Sequence, residues 1–314
     1  MHYRPEYPDT PAARDRFVID LRGPRPAHDP WRYQDVLLED EPTERGDVAR
    51  VGTIFLTGRE CPWRCAMCDL WRFTTRADTP AGAIPAQIRT ARRVWRNRGD
   101  VITRLKLYNA SNFFDPRAVP ATDYGDIAAA INDDRENHER DDVVEQVTVE
   151  SHPSLIGERV ERFLEALDGR RLEVAMGLET VHPAALDALN KRMTTDDFAN
   201  AANRLRHLGA SLRVFVLIAP PFVPREEQDA WLLASVAFAV ECGASVISLI
   251  PTRGENGAME ALSAQQLFCE PTRGDIDRSV ELVRARFSSP EPRVPSPEPR
   301  APRIFLDPWA QHAG

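Results

Sequence analysis

Six short apolar runs alternate with five helix-like stretches between residues 51 and 251, and this alternation constrains the fold more than any other feature. The runs are "VGTIFLTG" from 51, "TRLKLYNA" from 103, "EQVTVESH" from 145, "RLEVAMGLE" from 171, "LRVFVLIAPP" from 212 and "SVISLIP" from 245. Helical patterns lie between them, near 85–98, 124–132, 157–167, 195–208 and 226–241. Strand, crossover helix and strand in repetition predict a parallel sheet with right-handed connections.

The side chains of these runs alternate between an apolar and a polar face. Residues two apart share a face of a strand, so the apolar set in the third run is Val147 and Val149. The polar faces carry Lys106, Glu150, Glu173 and Glu179. A doubly wound sheet is covered by helices on both faces and needs apolar residues on both. We therefore predict a partial (β/α)6 TIM-like barrel with a polar interior; the alternative is an open sheet with charges at its strand ends.

The two ends of the chain differ from the barrel in composition. We predict an irregular, proline-rich N-terminal extension over 1–45, the barrel over 46–255 and a helical segment over 256–287. A proline-rich linker and tail follow over 288–314, beginning "SSPEPRVPSPEPRAPR". The apolar residues Phe305, Leu306 and Trp309 of this tail are expected to dock either onto the domain or onto a partner.

Composition excludes several function classes. No apolar run approaches the ~20 residues of a membrane span, and the charged first twenty residues lack a signal-peptide core. These features predict a cytoplasmic protein with no membrane partner and with reduced thiols. The formal charge of -8 argues against binding nucleic acid by bulk electrostatics, although it leaves room for a local basic patch.

Three of the five cysteines lie in "GRECPWRCAMCDLW", with the spacing C-x3-C-x2-C. Cys61, Cys65 and Cys68 follow the first strand, at the carboxyl end where barrels place their chemistry. A closed zinc site needs a fourth ligand, for which Asp69, Cys242 or Cys269 are candidates, and a redox dithiol needs only two cysteines. A [4Fe-4S] cluster held by three thiolates keeps one iron open for another ligand.

The C-x3-C-x2-C motif after the first strand of such a barrel resembles that of the radical S-adenosylmethionine (SAM) superfamily. The resemblance implies that the amino and carboxylate groups of SAM chelate the fourth iron. It also implies a reductase, flavodoxin or ferredoxin that supplies an electron, whereupon SAM yields a 5'-deoxyadenosyl radical that abstracts a substrate hydrogen. Met67 stands where the superfamily usually has an aromatic residue, and its apolar, polarizable side chain suits the same contact with adenine.

The resemblance assigns further cofactor-binding residues to the ends of the next strands. Asn109 and Ser111 in "YNASNFFDP" offer oxygen acceptors where the superfamily often binds the SAM amino group. Glu150 in "VESHP" is expected to bind the methionyl ammonium, and Glu179 in "GLET" a ribose hydroxyl pair or the ammonium.

Cationic residues complete the predicted site. Lys191 and Arg192 in "LNKRMT" are expected to bind the methionyl carboxylate. Lys106 points into the predicted barrel, where it is expected to meet a substrate anion or the SAM carboxylate. The structural alternative is an ion pair with Glu150 or Glu173, of which Glu173 is the leading partner. Arg253, after the sixth strand, is a candidate for a substrate phosphate. His152 is either a structural residue or an acid or ligand.

Five strings match one subfamily in order and approximate spacing: "KLYNASNFFDP", "VESHPSLI", "LEVAMGLET", "LNKRMT" and "RVFVLIAPPF". They resemble the archaeosine-synthase radical SAM partner family. That resemblance implies a tRNA-modifying partner and cleavage of a carbon–nitrogen bond in a lysine adduct on a deazaguanine base. The predicted substrate is thus a modified tRNA base or a small molecule. The alternative function is a zinc- or cluster-stabilised barrel that acts as a sensor or scaffold without catalysis.

Overall fold

A computed structural model describes residues 6–131, 143–288 and 301–307 of the chain. Over these residues a single sheet contains eight strands in sequential order. Their bounds are β1 Asp35–Pro42, β2 Val48–Phe55, β3 Arg104–Tyr108, β4 Gln146–Glu150, β5 Arg171–Glu179, β6 Ser211–Ile218, β7 Val246–Pro251 and β8 Arg303–Leu306. Strands β2 to β8 are parallel to their neighbours, and β1 is antiparallel to β2. The sheet curls into a nearly closed barrel, so the predicted barrel class is confirmed.

Helices follow most of the strands and cover the outside of the barrel. Their bounds in the described residues are α1 Pro11–Asp20, α2 Ala83–Asn97, α3 Tyr124–Ile131, α4 Glu158–Ala166, α5 Pro183–Ala188, α6 Thr195–His207, α7 Gln228–Glu241, α8 Ala258–Ala264 and α9 Arg273–Phe287. Helix α6 begins at a capping box, in which Thr194 and Asp197 bond each other's backbone N–H groups. Among the helices of the described residues, none is long and apolar enough to cross a membrane.

The two faces of the strands divide as the alternation predicts. Leu105 and Leu107 of β3 and Val147 and Val149 of β4 are fully buried in the main apolar core beneath the helices. The residues between them point inward, where polar groups require partners because burial removes their hydration. The interior of the barrel is therefore a polar space.

Four charged residues meet inside the barrel and form what we call the interior ion network: Glu41, Lys106, Glu173 and Arg213. Lys106 Nζ donates to Glu41 Oε1 at 2.5 Å, and Arg213 donates to Glu41 Oε2 at 3.0 Å and to Glu173 Oε1 at 2.8 Å. Glu173 is 0% exposed and Arg213 3%. Burial would raise the pKa of Glu41, but Arg213 and Lys106 outweigh it and hold that pKa at about 2.

The N-terminal extension differs from its prediction. Residues predicted to be irregular form α1 and β1, and β1 pairs with β2 along its whole length. The reason is the interior ion network, since Glu41 of β1 faces inward and meets Lys106. Lys106 also donates to Glu39 at 2.6 Å, so its partners are the β1 carboxylates rather than the predicted Glu173. The apolar run of β1 is only three residues long, Val36 to Leu38, and the acidic residues 39–41 follow it, so the strand is hard to recognise from its sequence.

The C-terminal region also adds a strand. Helices α8 and α9 lie in the segment predicted to be helical. Phe305 and Leu306 lie in β8 and pair with Ser248 and Leu249 of β7, so this part of the tail docks onto the domain. Trp309 and the proline-rich residues 289–300 lie outside the described residues.

We expect Arg213→Ala to lower the free energy of unfolding by about 3–5 kcal/mol, because it leaves Glu41 and Glu173 as buried carboxylates with one cation fewer. Arg204 is the matched control, since it makes an exposed ion pair with Glu161 on the outer helices. Arg204→Ala should cost about 0–1 kcal/mol. Chemical denaturation of both variants measures the difference, and equal losses would show that the network does not stabilise the barrel.

Candidate functional site

The segment with the three cysteines, residues 58–71, is held in place by loops from the far side of the barrel. We call it the cysteine loop. The Ala66 N–H donates to the Leu189 carbonyl at 3.0 Å, and Asn190 Nδ2 donates to the Arg64 carbonyl at 2.9 Å. Asn256 Nδ2, after β7, donates to the Ala66 carbonyl at 2.7 Å. Contacts from the loops after β5 and β7 thus fix a loop that follows β2.

The three thiols lie in low-dielectric protein, and Cys61 also receives hydrogen bonds. The Trp63 N–H donates to Cys61 Sγ at 3.4 Å, and the Asn112 side chain hydrogen-bonds the same sulfur. Burial raises the pKa of Cys65 well above its usual range, and the Lys191 ammonium opposes this shift. Burial raises the pKa of Cys68 to about 12. These thiols must lose their protons to bind any metal, and the nearby cation favours that loss.

The thiols do not form a ready-made site for a single ion. Within the described ranges, His, Cys, Asp and Glu side chains do not gather in threes around one metal position. Cys242 packs at the end of α7, and exposed Cys269 contacts Arg225, so neither joins the cysteine loop. Asp69 pairs with Arg253 at 3.2 Å. Of the three candidates for the fourth ligand of a zinc site, Cys242 and Cys269 thus lie away from the cysteine loop, and Asp69 is engaged by Arg253.

Glu150 shapes the loop that follows β3. The backbone N–H groups of Asn109, Ala110 and Ser111 all hydrogen-bond its carboxylate, the first at 2.8 Å. Ala110 has a φ of 51°, which turns these three groups toward one point. Desolvation still raises the pKa of Glu150 to about 7, although the hydrogen bonds and Lys191 oppose it. Glu150 therefore holds the loop through these hydrogen bonds.

Two polar side chains of that loop are buried without a partner. Both amide atoms of Asn109 and the hydroxyl oxygen of Ser111 lack a hydrogen bond in the described part of the chain, and Asn109 is 0% exposed. Unpaired buried polar groups cost about 1–3 kcal/mol each, so such atoms are retained where a ligand satisfies them. The same loop continues to Asn112, which contacts Cys61.

Lys191 and Glu179 form a buried ion pair beside the cysteines. Lys191 acts on the pKa of both Cys61 and Cys65, which places its ammonium next to the cysteine loop. A side chain at Gly177 would collide with both the Glu179 carboxylate and the Lys191 ammonium. Glu179 itself has a φ of 67°, at a point where the β5–β6 register shifts. Such strain is typical of functional sites.

His152 supports the cysteine loop through its ring. It stacks on Trp63 with ring centroids 3.9 Å apart and planes 12° apart. Its Nδ1 accepts from the Ser154 N–H at 3.2 Å, so the other nitrogen, Nε2, donates to the Lys191 carbonyl at 3.0 Å. Burial and the Lys191 charge lower the pKa of His152 to about 3. The ring is a neutral structural support, which is the first of the two roles considered for it.

The structure brings together most, but not all, of the residues predicted for the site. Asn109, Ser111, Glu150, Glu179 and Lys191 lie around the cysteine loop, through the contacts described above. Two cations lie apart from this group: Lys106 is in the interior ion network, and Arg192 pairs with Asp15 of α1. Arg253 does contact the cysteine loop, through its ion pair with Asp69 next to Cys68. Arg192 is 43% exposed in its side chain, so it does not join Lys191.

Four residues that shape the site were not singled out from the sequence: Trp63, Asn112, Gly177 and Asn256. Trp63 lies inside the cysteine motif, and Gly177 lies on the inner face of a strand that otherwise carries side chains there. Trp63 and Gly177 could therefore have been singled out from the sequence. Asn112 and Asn256 could not, because their partners are distant in sequence.

The fold is the first basis for classifying the protein. Coproporphyrinogen III oxidase HemN from Escherichia coli, a radical SAM enzyme, aligns over 75% of this chain and 51% of its own, with 13% identity and a TM-score of 0.51. Elp3 from Methanocaldococcus infernus aligns over 71% and 55%, with 11% identity and a TM-score of 0.52. The chain therefore has the barrel fold of radical SAM enzymes, although it spans only about half the length of these two structures.

Curated relatives sharpen this similarity. Archaeosine synthase subunit beta from Methanosarcina acetivorans is 24% identical over 294 residues, which are 88% of this chain and 79% of the relative. The subunit from Thermococcus kodakarensis is 33% identical over 88 residues, 27% of each chain. No protein-family model matches the chain. The resemblance predicted from the motifs is thus confirmed as a similarity to these proteins.

The neutral state of His152 predicts a pH dependence of stability. Its pKa is about 3 when folded against 6.5 when unfolded, so only the unfolded state gains a proton as the pH falls below 6.5. Stability is therefore lost between pH 6.5 and 3, by about 3 kcal/mol between pH 6.5 and 4. Urea denaturation should show that His152→Gln flattens this slope, whereas replacement of exposed His207 by Gln does not. An unchanged slope in His152→Gln would contradict a buried neutral ring.

Proposed function

We propose that the protein is a radical SAM enzyme, with a [4Fe-4S] cluster on Cys61, Cys65 and Cys68. The observation that carries this proposal concerns the carboxyl ends of the strands. The side chains of Asn109 and Ser111, which have no hydrogen-bond partner among the described residues, lie there around the cysteine loop with the Lys191–Glu179 pair. Three soft thiolates suit iron–sulfur chemistry. When bound, the cluster and SAM would supply an electron and a 5'-deoxyadenosyl radical that abstracts a substrate hydrogen.

The residues fit SAM through the complementarity of their polar groups. The Asn109 amide has two donors and two acceptor sites, and the Ser111 hydroxyl has both functions, so the pair suits an amino acid or nucleoside group. Lys191 would hold the SAM carboxylate, and Glu179 would accept from a ribose hydroxyl or the ammonium. Glu150 would orient Asn109 and Ser111 through the backbone of their loop.

The cysteine loop has a separate task, which is to hold three sulfurs in a fixed arrangement. The stack of Trp63 on His152 covers one side of the loop, and the apolar residues packed with Met67 cover another. Hydrogen bonds from the Trp63 N–H and Asn112 to Cys61 stabilise negative charge on that sulfur.

For the reaction itself, we propose modification of a tRNA base by carbon–nitrogen bond cleavage, together with a partner subunit. The support is the similarity to two archaeosine synthase beta subunits. An electron donor of the reductase, flavodoxin or ferredoxin class would serve the cluster. A small metabolite remains the alternative substrate, to be separated by assays on tRNA and on free nucleobases.

Cys65→Ser should abolish both the cluster and SAM cleavage. Anaerobic reconstitution of the unchanged protein should yield about four irons per chain, since a cubane has one iron per ligand position. Reduction with dithionite should then convert SAM to 5'-deoxyadenosine, which chromatography quantifies. Cys242→Ser is the control and should retain both properties. A cluster that forms without any 5'-deoxyadenosine, or tight zinc in its place, would favour the sensor or scaffold instead.

Gly177→Ala should weaken SAM binding while leaving the fold intact. The added methyl group displaces only the ends of the Glu179 and Lys191 side chains. The free energy of unfolding should therefore change by about 1 kcal/mol or less. SAM affinity should fall about tenfold or more, because these two side chains would bind SAM. Gly125 in α3 has open space around its Cα and supplies the control, Gly125→Ala. SAM affinity is measured by calorimetry on cluster-loaded protein. Equal affinities for the two variants would show that the Glu179–Lys191 ion pair does not contribute to SAM binding.

A further inference from the structure

A cavity opens between the loops that follow β2 and β3, against the outer side of the cysteine loop. Its volume is about 170 Å³, and the residues lining it include Cys61, Arg59, Arg64, Arg76, Asp115 and Arg117. A water molecule in liquid takes up about 30 Å³, so the space admits a polar group of several heavy atoms. Cys61 forms part of the wall, so a molecule bound here touches the proposed catalytic centre.

The cavity is lined by four arginines and two carboxylates, so its lining carries a net positive charge. Its two lining carboxylates are Glu60 and Asp115. Glu60 pairs with Arg64 of the lining at 3.2 Å, but it also bonds Arg22 at 2.7 Å and pairs with Arg25, so two further arginines share its charge. Asp115 accepts the backbone N–H of Arg117 at 2.9 Å. The excess of arginines over carboxylates makes this cavity a local basic region in a chain whose formal net charge is -8.

One carboxylate outside the lining orders two of the arginines. Asp78 accepts from Arg117 Nε at 2.9 Å and pairs with Arg59, which brings the two guanidinium groups together. Each guanidinium carries five N–H donors and keeps most of them for another partner. Exposed Arg76 has no ion pair or hydrogen bond to any residue that the structure describes. The arrangement is therefore a cluster of positioned donors with unused capacity.

We propose that this cavity binds a phosphate group. A phosphate monoester presents three strong acceptor oxygens and up to two negative charges, which match several converging arginines better than the single charge of a carboxylate. A free nucleotide carries such a monoester, whereas each link of an RNA backbone is a phosphodiester with two free oxygens and one negative charge. The assignment of this phosphate to the substrate rests on the proposed function, whereas phosphate binding by the cavity does not.

The test uses the full chain loaded with its cluster and inorganic phosphate, titrated by phosphorus NMR. Arg76→Ala and Arg117→Ala should each weaken phosphate binding about tenfold, because each removes a charge-assisted hydrogen-bond donor. Arg204→Ala, on the outer helices, should leave the affinity unchanged. Competition by uridine 5'-monophosphate or by a ten-nucleotide RNA then identifies the source of the phosphate, and preference for either supports the site.

Absence of phosphate binding to the unchanged protein, or equal weakening by Arg204→Ala, would overturn the proposal. Production of 5'-deoxyadenosine from SAM is measured on the same samples. If SAM cleavage is absent while phosphate binds, the proposed function fails and the cavity assignment stands. If SAM is cleaved and phosphate does not bind, the cavity assignment fails and the proposed function stands.

Discussion

Charge pairing inside the barrel is the constraint on which the rest of the structure depends. A polar interior is stable only if each charge has a partner, since buried unpaired charges are costly. The interior ion network meets this requirement with strand residues alone, through contacts of Glu41 and Glu173 with Lys106 and Arg213. The side chains of Asn109 and Ser111, which have no hydrogen-bond partner among the described residues, lie outside this network, after the carboxyl end of β3.

This pairing explains what could and could not be predicted from the sequence. The strands β2 to β7 were predictable because their outward residues, such as Val147 and Val149, alternate with polar ones. Strand β1 was not, because Glu41 gives it an acidic character that makes sense only beside Lys106 and Arg213. The same pairing bears on the substrate role considered for Lys106. Its ammonium is already bonded to two carboxylates, which gives this lysine a structural role.

The candidate site likewise contains residues that the local sequence marks and residues that only long-range contacts bring together. Spacing alone marks Cys61, Cys65 and Cys68, and strand-end positions mark Glu150 and Glu179. By contrast, the support of the cysteine loop by Asn256 and of Cys61 by Asn112 arises from folding, because these partners come from other loops. Positions that depend on such long-range contacts have no signature within one sequence.

The central claim is that three thiolates hold a cluster whose remaining iron binds SAM. Electron paramagnetic resonance of the reduced, reconstituted protein tests it most directly, with and without SAM. We predict a [4Fe-4S] signal that changes when SAM is added, and that Cys65→Ser eliminates it. A cluster signal identical with and without SAM, or no iron-based signal in the reconstituted protein, would contradict the account.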